Sequence, residues 1–424
     1  MARLFSHWLF PNRLLSARVC RLWLLCSVML LSGCSTVSGA WHGFWSASSE
    51  HSDTAKQDTV KHATPASVIK PSPSTANISV IWRNDVDQRK PASPPGFSLP
   101  AVVSGKHGKL VVAGAEDRRV RIYQANGSEA GRIALRNASE SGAVELTNGL
   151  VVVGDTGGIL YGLDISHSKV VWQVQLSAAL FGRPVTVDND FIVQTSNNQI
   201  YRFTNKGEKV WSFSGQLGGL GIHLSPSPVV YNNHVYAVFT NGDVIALKAG
   251  TGNFVWKRQL VLSNQAAVMS EVKIPTATPL VVPAAQSGRG EDMLVVSVFQ
   301  GELFFLSLQD GSTLNTRHLS VKATPMLIGK TLFVADAAGA LSALDVSNAV
   351  TLWKQQLSAT ELTGLATWQG SIWVTDGQAH VFRLNRDGRV LARTQLDGRI
   401  DRAPVVAGNG VLVRNNLGTL YLLH

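Results

Sequence analysis

One six-residue pattern recurs eight times between residues 118 and 423, and no other feature limits the possible folds as much. It reads as a small or turn residue, any residue, an aliphatic, two variable residues, then an aliphatic or aromatic. The clear copies are GILYGL (158–163), NQIYRF (198–203), GDVIAL (242–247), GELFFL (301–306), GALSAL (339–344) and GTLYLL (418–423); RRVRIY (118–123) and AHVFRL (379–384) are weaker. The first aliphatics stand at 120, 160, 200, 244, 303, 341, 381 and 420, a period of about 40 broken once by an interval of 59. Trp172, Trp211, Trp256 and Trp353 follow their aliphatics by 11 or 12 residues, and Pro184, Pro228, Pro325 and Pro404 precede theirs by 16. Between these marks short apolar runs such as Val151-Val152-Val153 alternate with turn residues such as Gly157-Gly158. Each unit therefore holds about four strands with tight turns.

A period of 40–45 residues with four strands per unit is that of a propeller blade. One blade cannot bury both faces of its sheet; stacking blades in a ring buries them and removes the exposed edges. The expected fold is all-β, an eight-bladed β-propeller of four-stranded antiparallel blades over residues 77–424. The last copy ends the chain before its Trp strand, and Trp82 in Ile78–Trp82 fills that slot. The N-terminal strand is thus expected to pair into the last blade and close the ring. Trp82, Trp172, Trp211, Trp256 and Trp353 are read as packing between blades. The long interval contains two insertions, Leu262–Lys273 and Pro283–Asp292, the second polar, Gly-rich and expected as a surface loop.

The N-terminus is built differently. Arg3, Arg13, Arg18 and Arg21 precede a ten-residue apolar run, Leu22–Leu31, too short to span a membrane and suited to a secretory signal. Leu31-Ser32-Gly33-Cys34 resembles the lipobox of bacterial lipoproteins, which implies cleavage after residue 33 and acylation of Cys34. Two or three acyl chains anchor stably where one is marginal. Ser35 in place of an aspartate implies, by analogy with enterobacterial lipoproteins, export to the outer membrane, with the chain on its periplasmic face. Residues 34–76 are rich in Ser, Thr, Ala and Pro and are expected to form a flexible tether. Removing residues 1–33 takes four of the ten net positive charges, leaving +6. A basic periplasmic protein meets anionic lipid or an acidic partner face rather than nucleic acid.

Reactive chemistry is not legible. The three cysteines are Cys20, Cys26 and Cys34, so the propeller region has no disulfide, zinc-cysteine site or cysteine nucleophile. The histidines are dispersed, and no G-x-S-x-G, H-E-x-x-H or C-x-x-C-H is present. Asp155, Asp164, Asp336 and Asp345 recur at blade-equivalent positions, which suits turn caps rather than a catalytic pair. The arginines between Arg383 and Arg402 are interleaved with Asp387, Asp397 and Asp401 and read as a solvated face. The expectation is no enzyme, no metal and no cofactor.

The repeats resemble the quinoprotein-type pattern G-x-L-x-A-L-D with a following Trp. Quinoprotein dehydrogenases share it and bind pyrroloquinoline quinone and calcium; outer-membrane assembly lipoproteins of the BamB family share it and bind neither. The lipobox, eight repeats and closing strand resemble the latter. That resemblance implies a scaffold that assists folding and insertion of outer-membrane proteins. Its implied partners are the periplasmic domains of the barrel-assembly protein, and unfolded outer-membrane proteins themselves. It also implies two contact loops. Counted from Trp211, the first loop's two leucines and arginine fall on Leu220, Ile222 and His223; counted back from Pro279, the second loop's two aspartates fall on Ile274 and Thr276. The apolar pair is kept in kind, the arginine is histidine, and both acids are absent. A carbohydrate- or peptidoglycan-binding propeller and a degenerate quinone enzyme are the alternatives.

Overall fold

The computed structural model describes residues 67–68, 76–87, 100–105, 108–114, 116–216, 226–260 and 274–424. These residues form eight sheets, each with four antiparallel strands, two of them extended by a short parallel edge strand. Blades 1 to 4 run Ala101–Ala134, Val144–Gln175, Val185–Ser214 and Val229–Gln259. Blades 5 to 7 run Ile274–His318, Met326–Gln356 and Leu362–Gln395. Blade 8 joins three C-terminal strands within Val405–Leu423 to the strand Val80–Asp85, here β3.

The two faces of each sheet feed two different cores. In blade 2, Val151, Val153, Ile159 and Tyr161 pack with blade 1, whereas Val152 and Leu160 pack with blade 3. Alternation along a strand, with both faces buried, explains why the middle strands read as unbroken apolar runs. Six further cores follow in turn around the ring. The last joins Ala407, Leu412, Leu420 and Leu422 of blade 8 to Val111, Ala113 and Tyr123 of blade 1.

β3 behaves as a true fourth strand. It pairs antiparallel with Thr419–Leu423, and Trp82 lies opposite Leu422. In each blade the third and fourth strands are out of register by one residue at the same place, between Gly162 and Leu163 in blade 2 and between Val80 and Trp82 in blade 8. Such a bulge sharpens the local twist and turns the following side chain toward the neighbouring blade. In five blades that side chain is the repeat Trp. Its indole N–H donates to a carbonyl in the last hairpin turn of the next blade. The acceptors are Ala125, Asn205, Ala249, Leu308 and Arg386, for Trp82, Trp172, Trp211, Trp256 and Trp353 respectively, at 2.9–3.3 Å. Under the first four rings lies a glycine of positive φ, Gly127, Gly207, Gly252 or Gly311, where a Cβ would come within 3.0 Å of the indole. In blade 5 an asparagine stands at this position, and Asn315 Nδ2 donates to the Asn348 carbonyl of blade 6 at 2.8 Å.

A buried ion pair in blade 8 also reaches blade 1. Arg414 donates to Asp87, just past β3, and to the Gly114 carbonyl; the Arg414 and Asp87 side chains are 3% and 2% exposed.

Two features differ from the sequence reading. Ser67–Val68 (β1) and Ala76–Asn77 (β2) fall in and at the edge of the expected tether, yet each is a short parallel strand on an outer edge. β1 lies beside Trp353-Lys354 of blade 6 and β2 beside Ala392-Arg393 of blade 7. The second is the insertion at Pro283–Asp292, which is not a plain loop. It opens with one helical turn, Ala284–Ser287 (α1), whose first N–H is held by Asp292 Oδ1 at 2.7 Å, and Arg289 donates to the Ser347 carbonyl of blade 6 at 2.8 Å. The polar residues that suggested a loop are engaged in fastening it down.

Candidate functional site

Each inner strand begins at the hub, and the residues just before it converge there. Pro184, Pro228, Pro279, Pro325 and Pro404 start or closely precede inner strands, where a fixed φ is tolerated and no N–H is left to satisfy in a crowded place. Ahead of them, Phe181, Arg183, Ser227, Thr276, Lys322 and Arg402, with residues between, line one cavity of about 110 Å³. Blades 3 to 8 all contribute, blade 7 through Thr363, so the cavity lies at the mouth of the axial channel.

Hydroxyls knit this rim together. Ser227 Oγ accepts from the Arg183 N–H at 2.7 Å, and the Ser227 N–H donates to Thr278 Oγ1 at 3.1 Å. Thr276 Oγ1 donates to the Lys322 carbonyl at 3.1 Å. Lys322 Nζ then pairs with Glu361 of blade 7 at 3.2 Å. These bonds link blades 3 to 7 in order and hold the mouth rigid.

The electrostatics are uneven. Burial pushes the Arg402 guanidinium down to about 10, against the pull of Glu140 and Asp401, so it keeps its charge at neutral pH. Burial alone lowers Arg183, and no carboxylate opposes it. Asp401 pairs with Arg399 at 3.0 Å.

Of the residues singled out in the sequence, Thr276 lies in this cavity. Ile274 begins blade 5, its backbone paired with Phe299. Leu220, Ile222, His223 and Cys34 lie outside the described residues. The two segments expected to meet a partner nevertheless rejoin the described chain beside this cavity, the first at Pro226 and the second at Ile274-Pro275-Thr276. The five repeat tryptophans sit in the blade interfaces, away from the hub. Arg183 went unnoticed in the sequence, although a signal existed: the matching position before the repeat proline is Ser227, Thr278, Thr324 or Ala403 in other blades.

The recurrent acids cap turns. Asp155 Oδ1 accepts the N–H groups of Gly157 and Ile159 at 3.0 and 2.8 Å, and Asp336 and Asp376 do the same for their turns. Asp164 and Asp345 cap the next hairpins. Among the described residues no group of three or more His, Cys, Asp or Glu is placed to hold a metal ion.

Comparison with known proteins supplies the family. The model of the outer membrane protein assembly factor BamB matches residues 79–355, more than half the chain. The chain belongs to the BamB family. It is 25% identical to the assembly factor BamB of Yersinia pestis over 333 residues, 77% of this chain and 83% of that one. With BamB of Escherichia coli strain K12 it shares 23% identity over 94% of this chain and 96% of that one. Among solved structures, BamB from Moraxella catarrhalis superposes with a TM-score of 0.68 at 19% identity, covering 82% of this chain and 99% of that one. The yeast protein Sqt1 reaches 0.63 at 13% identity, over 82% and 99%. The BamB likeness and the Sqt1 likeness agree on the propeller, so the fold alone does not select the family; the sequence match does.

Proposed function

We propose that the chain is a non-catalytic scaffold of outer-membrane protein assembly. Lipidation at Cys34 moors it to the periplasmic face of the outer membrane, and its axial face docks on the periplasmic domains of the barrel-assembly protein. Leu220 and Ile222 supply the apolar contact, His223 and the segment ending at Ile274 and Thr276 the polar margin. The observation that carries this reading is the return of both loop segments to one hub cavity, in a member of a family named for that assembly role. Docking rather than catalysis is supported by the recurrent acids, whose lone pairs are engaged by backbone N–H groups. A sugar-binding hub would want several aromatic rings for stacking, and the described lining offers one, Phe181.

A second contact is favoured by β1 and β2. The outer edges of blades 6 and 7 accept an extended segment in parallel pairing, which is how an unfolded barrel strand would be held. The matching strands of blades 2 to 4 carry exposed Val170, Val171, Val210, Phe254 and Val255.

Capture from detergent-solubilised outer membrane tests the first reading. The wild-type chain is expected to retain the barrel-assembly protein, and Leu220→Glu with Ile222→Glu to cut capture at least about tenfold while melting within a few degrees of wild type. No capture by wild type refutes the docking role. Collapse of the melting temperature in the double variant shows instead that the two residues are core.

A further inference from the structure

Arg183 is unlike every other charged group at the hub. Lys322 has Glu361 and Asp401 has Arg399, at 3.2 and 3.0 Å, while Glu140 and Asp401 both pull on Arg402. Arg183 has a single long contact, from Nη2 to the Pro100 carbonyl at 3.5 Å, and its buried Nε has no acceptor among the described residues. Its position is nonetheless built. The neighbouring blade offers Gly142, where a Cβ would come within 2.9 Å of Arg183 Cβ, so only glycine lets this side chain pass. From there it reaches past blade 2 toward Pro100, the residue just before blade 1, across part of the cavity mouth. Arg183 is partly buried; a guanidinium so placed without a carboxylate is costly, and a site that keeps one is poised for an anion brought from outside.

We propose that the axial cavity is a receptor for one carboxylate, the side chain of an aspartate or glutamate on a partner polypeptide, with Arg183 as its principal ligand and the rim hydroxyls of Ser227 and Thr278 around it. The chemistry follows from the donor: a guanidinium presents a planar fork that matches a carboxylate, which an ammonium does not. The size agrees, since about 110 Å³ holds a carboxylate with its adjoining methylene but not a sugar ring with its hydration shell. The inference deepens the reading of the axial face as a docking surface, but it concerns a separate contact from the loop residues.

The probe is a fluorescein-labelled hexaglutamate peptide, with hexaglutamine as its neutral counterpart, titrated by anisotropy in about 0.15 M salt, where the Debye length of about 8 Å screens exposed charges. Wild type is expected to prefer hexaglutamate at least tenfold. Arg183→Gln abolishes the preference while keeping the melting temperature or raising it. Arg132→Gln, which removes an exposed arginine of blade 1 that pairs with Glu129, changes binding less than twofold. Arg183→Lys keeps the charge, loses the fork, and binds at an intermediate level; it carries the test should the glutamine variant not fold. Equal weakening by Arg183→Gln and Arg132→Gln, or no discrimination between the peptides by wild type, overturns the proposal. The loop variants at Leu220 and Ile222 should keep the peptide preference, so failure of this site and failure of the docking role read out separately.

Discussion

Trp211 shows how one residue position does the work of holding blades in place. It is 9% exposed, its N–H is satisfied by Ala249, and its ring covers Gly252. Replacing it with alanine should cost about 3–5 kcal/mol, as for other buried indoles. Gly252→Ala should be damaging from the other side, because a φ of +72° strains any L residue and the added methyl would meet the ring at 2.7 Å. Chemical denaturation of both variants checks this; a Gly252→Ala chain as stable as wild type would show that the ring does not rest there. Tyr123, Tyr161 and Tyr236 give a second residue-scale prediction. Burial pushes each phenol up to about 12, while the unfolded chain ionises near 10. The raised groups favour the folded state's neutral form, so their stability contribution is intact below pH 10 and is lost as pH rises from about 10 toward 12. Tyrosinate absorbance should therefore appear together with loss of β circular dichroism on alkaline titration. Ionisation of all tyrosines near pH 10 in a still-folded chain would contradict it.

At the level of elements, the repeat made most of the fold readable. Glycines, tryptophans and prolines at fixed offsets are direct consequences of a turn, an interface and a hub, so counting them located the blades and the role of β3. What escaped was of two kinds. β1 and β2 have no side-chain pattern because parallel edge pairing uses backbone groups, which every residue carries. The position of Arg183 was visible as a departure from Ser, Thr or Ala, but its meaning depends on Gly142 opposite it, a contact between blades that spacing does not reveal. The segment bearing Leu220, Ile222 and His223 was placed by counting alone and lies outside the described residues; the chain resumes beside the hub cavity at Pro226. The buried Asp87–Arg414 pair yields an element-scale prediction. Asp87→Ala strands a buried guanidinium and should destabilise by about 3–5 kcal/mol, whereas Asp87→Ala with Arg414→Met should recover much of the loss. Equal stability of the single and double variants would mean that a stranded guanidinium is not what the loss of Asp87 costs.

For the whole molecule, eight cores of similar make-up each need a neighbour on both sides, and the axial face inherits its shape from their closure. The hub cavity exists because residues from six blades meet there, and the described chain resumes beside it at Pro226 and at Thr276 for the same reason. A ring that opened would lose the hub cavity together with its stability. The direct measurement is a pair of N-terminal truncations followed by thermal melting and sedimentation. A chain starting at Ile78 keeps β3 and is expected to remain a folded monomer within about 5 °C of wild type. A chain starting at Gln88 lacks β3 and Trp82 and is expected to melt more than about 10 °C lower or to associate through the bared edge of blade 8. Equal melting of the two monomeric chains would contradict a ring closed by its N-terminal strand.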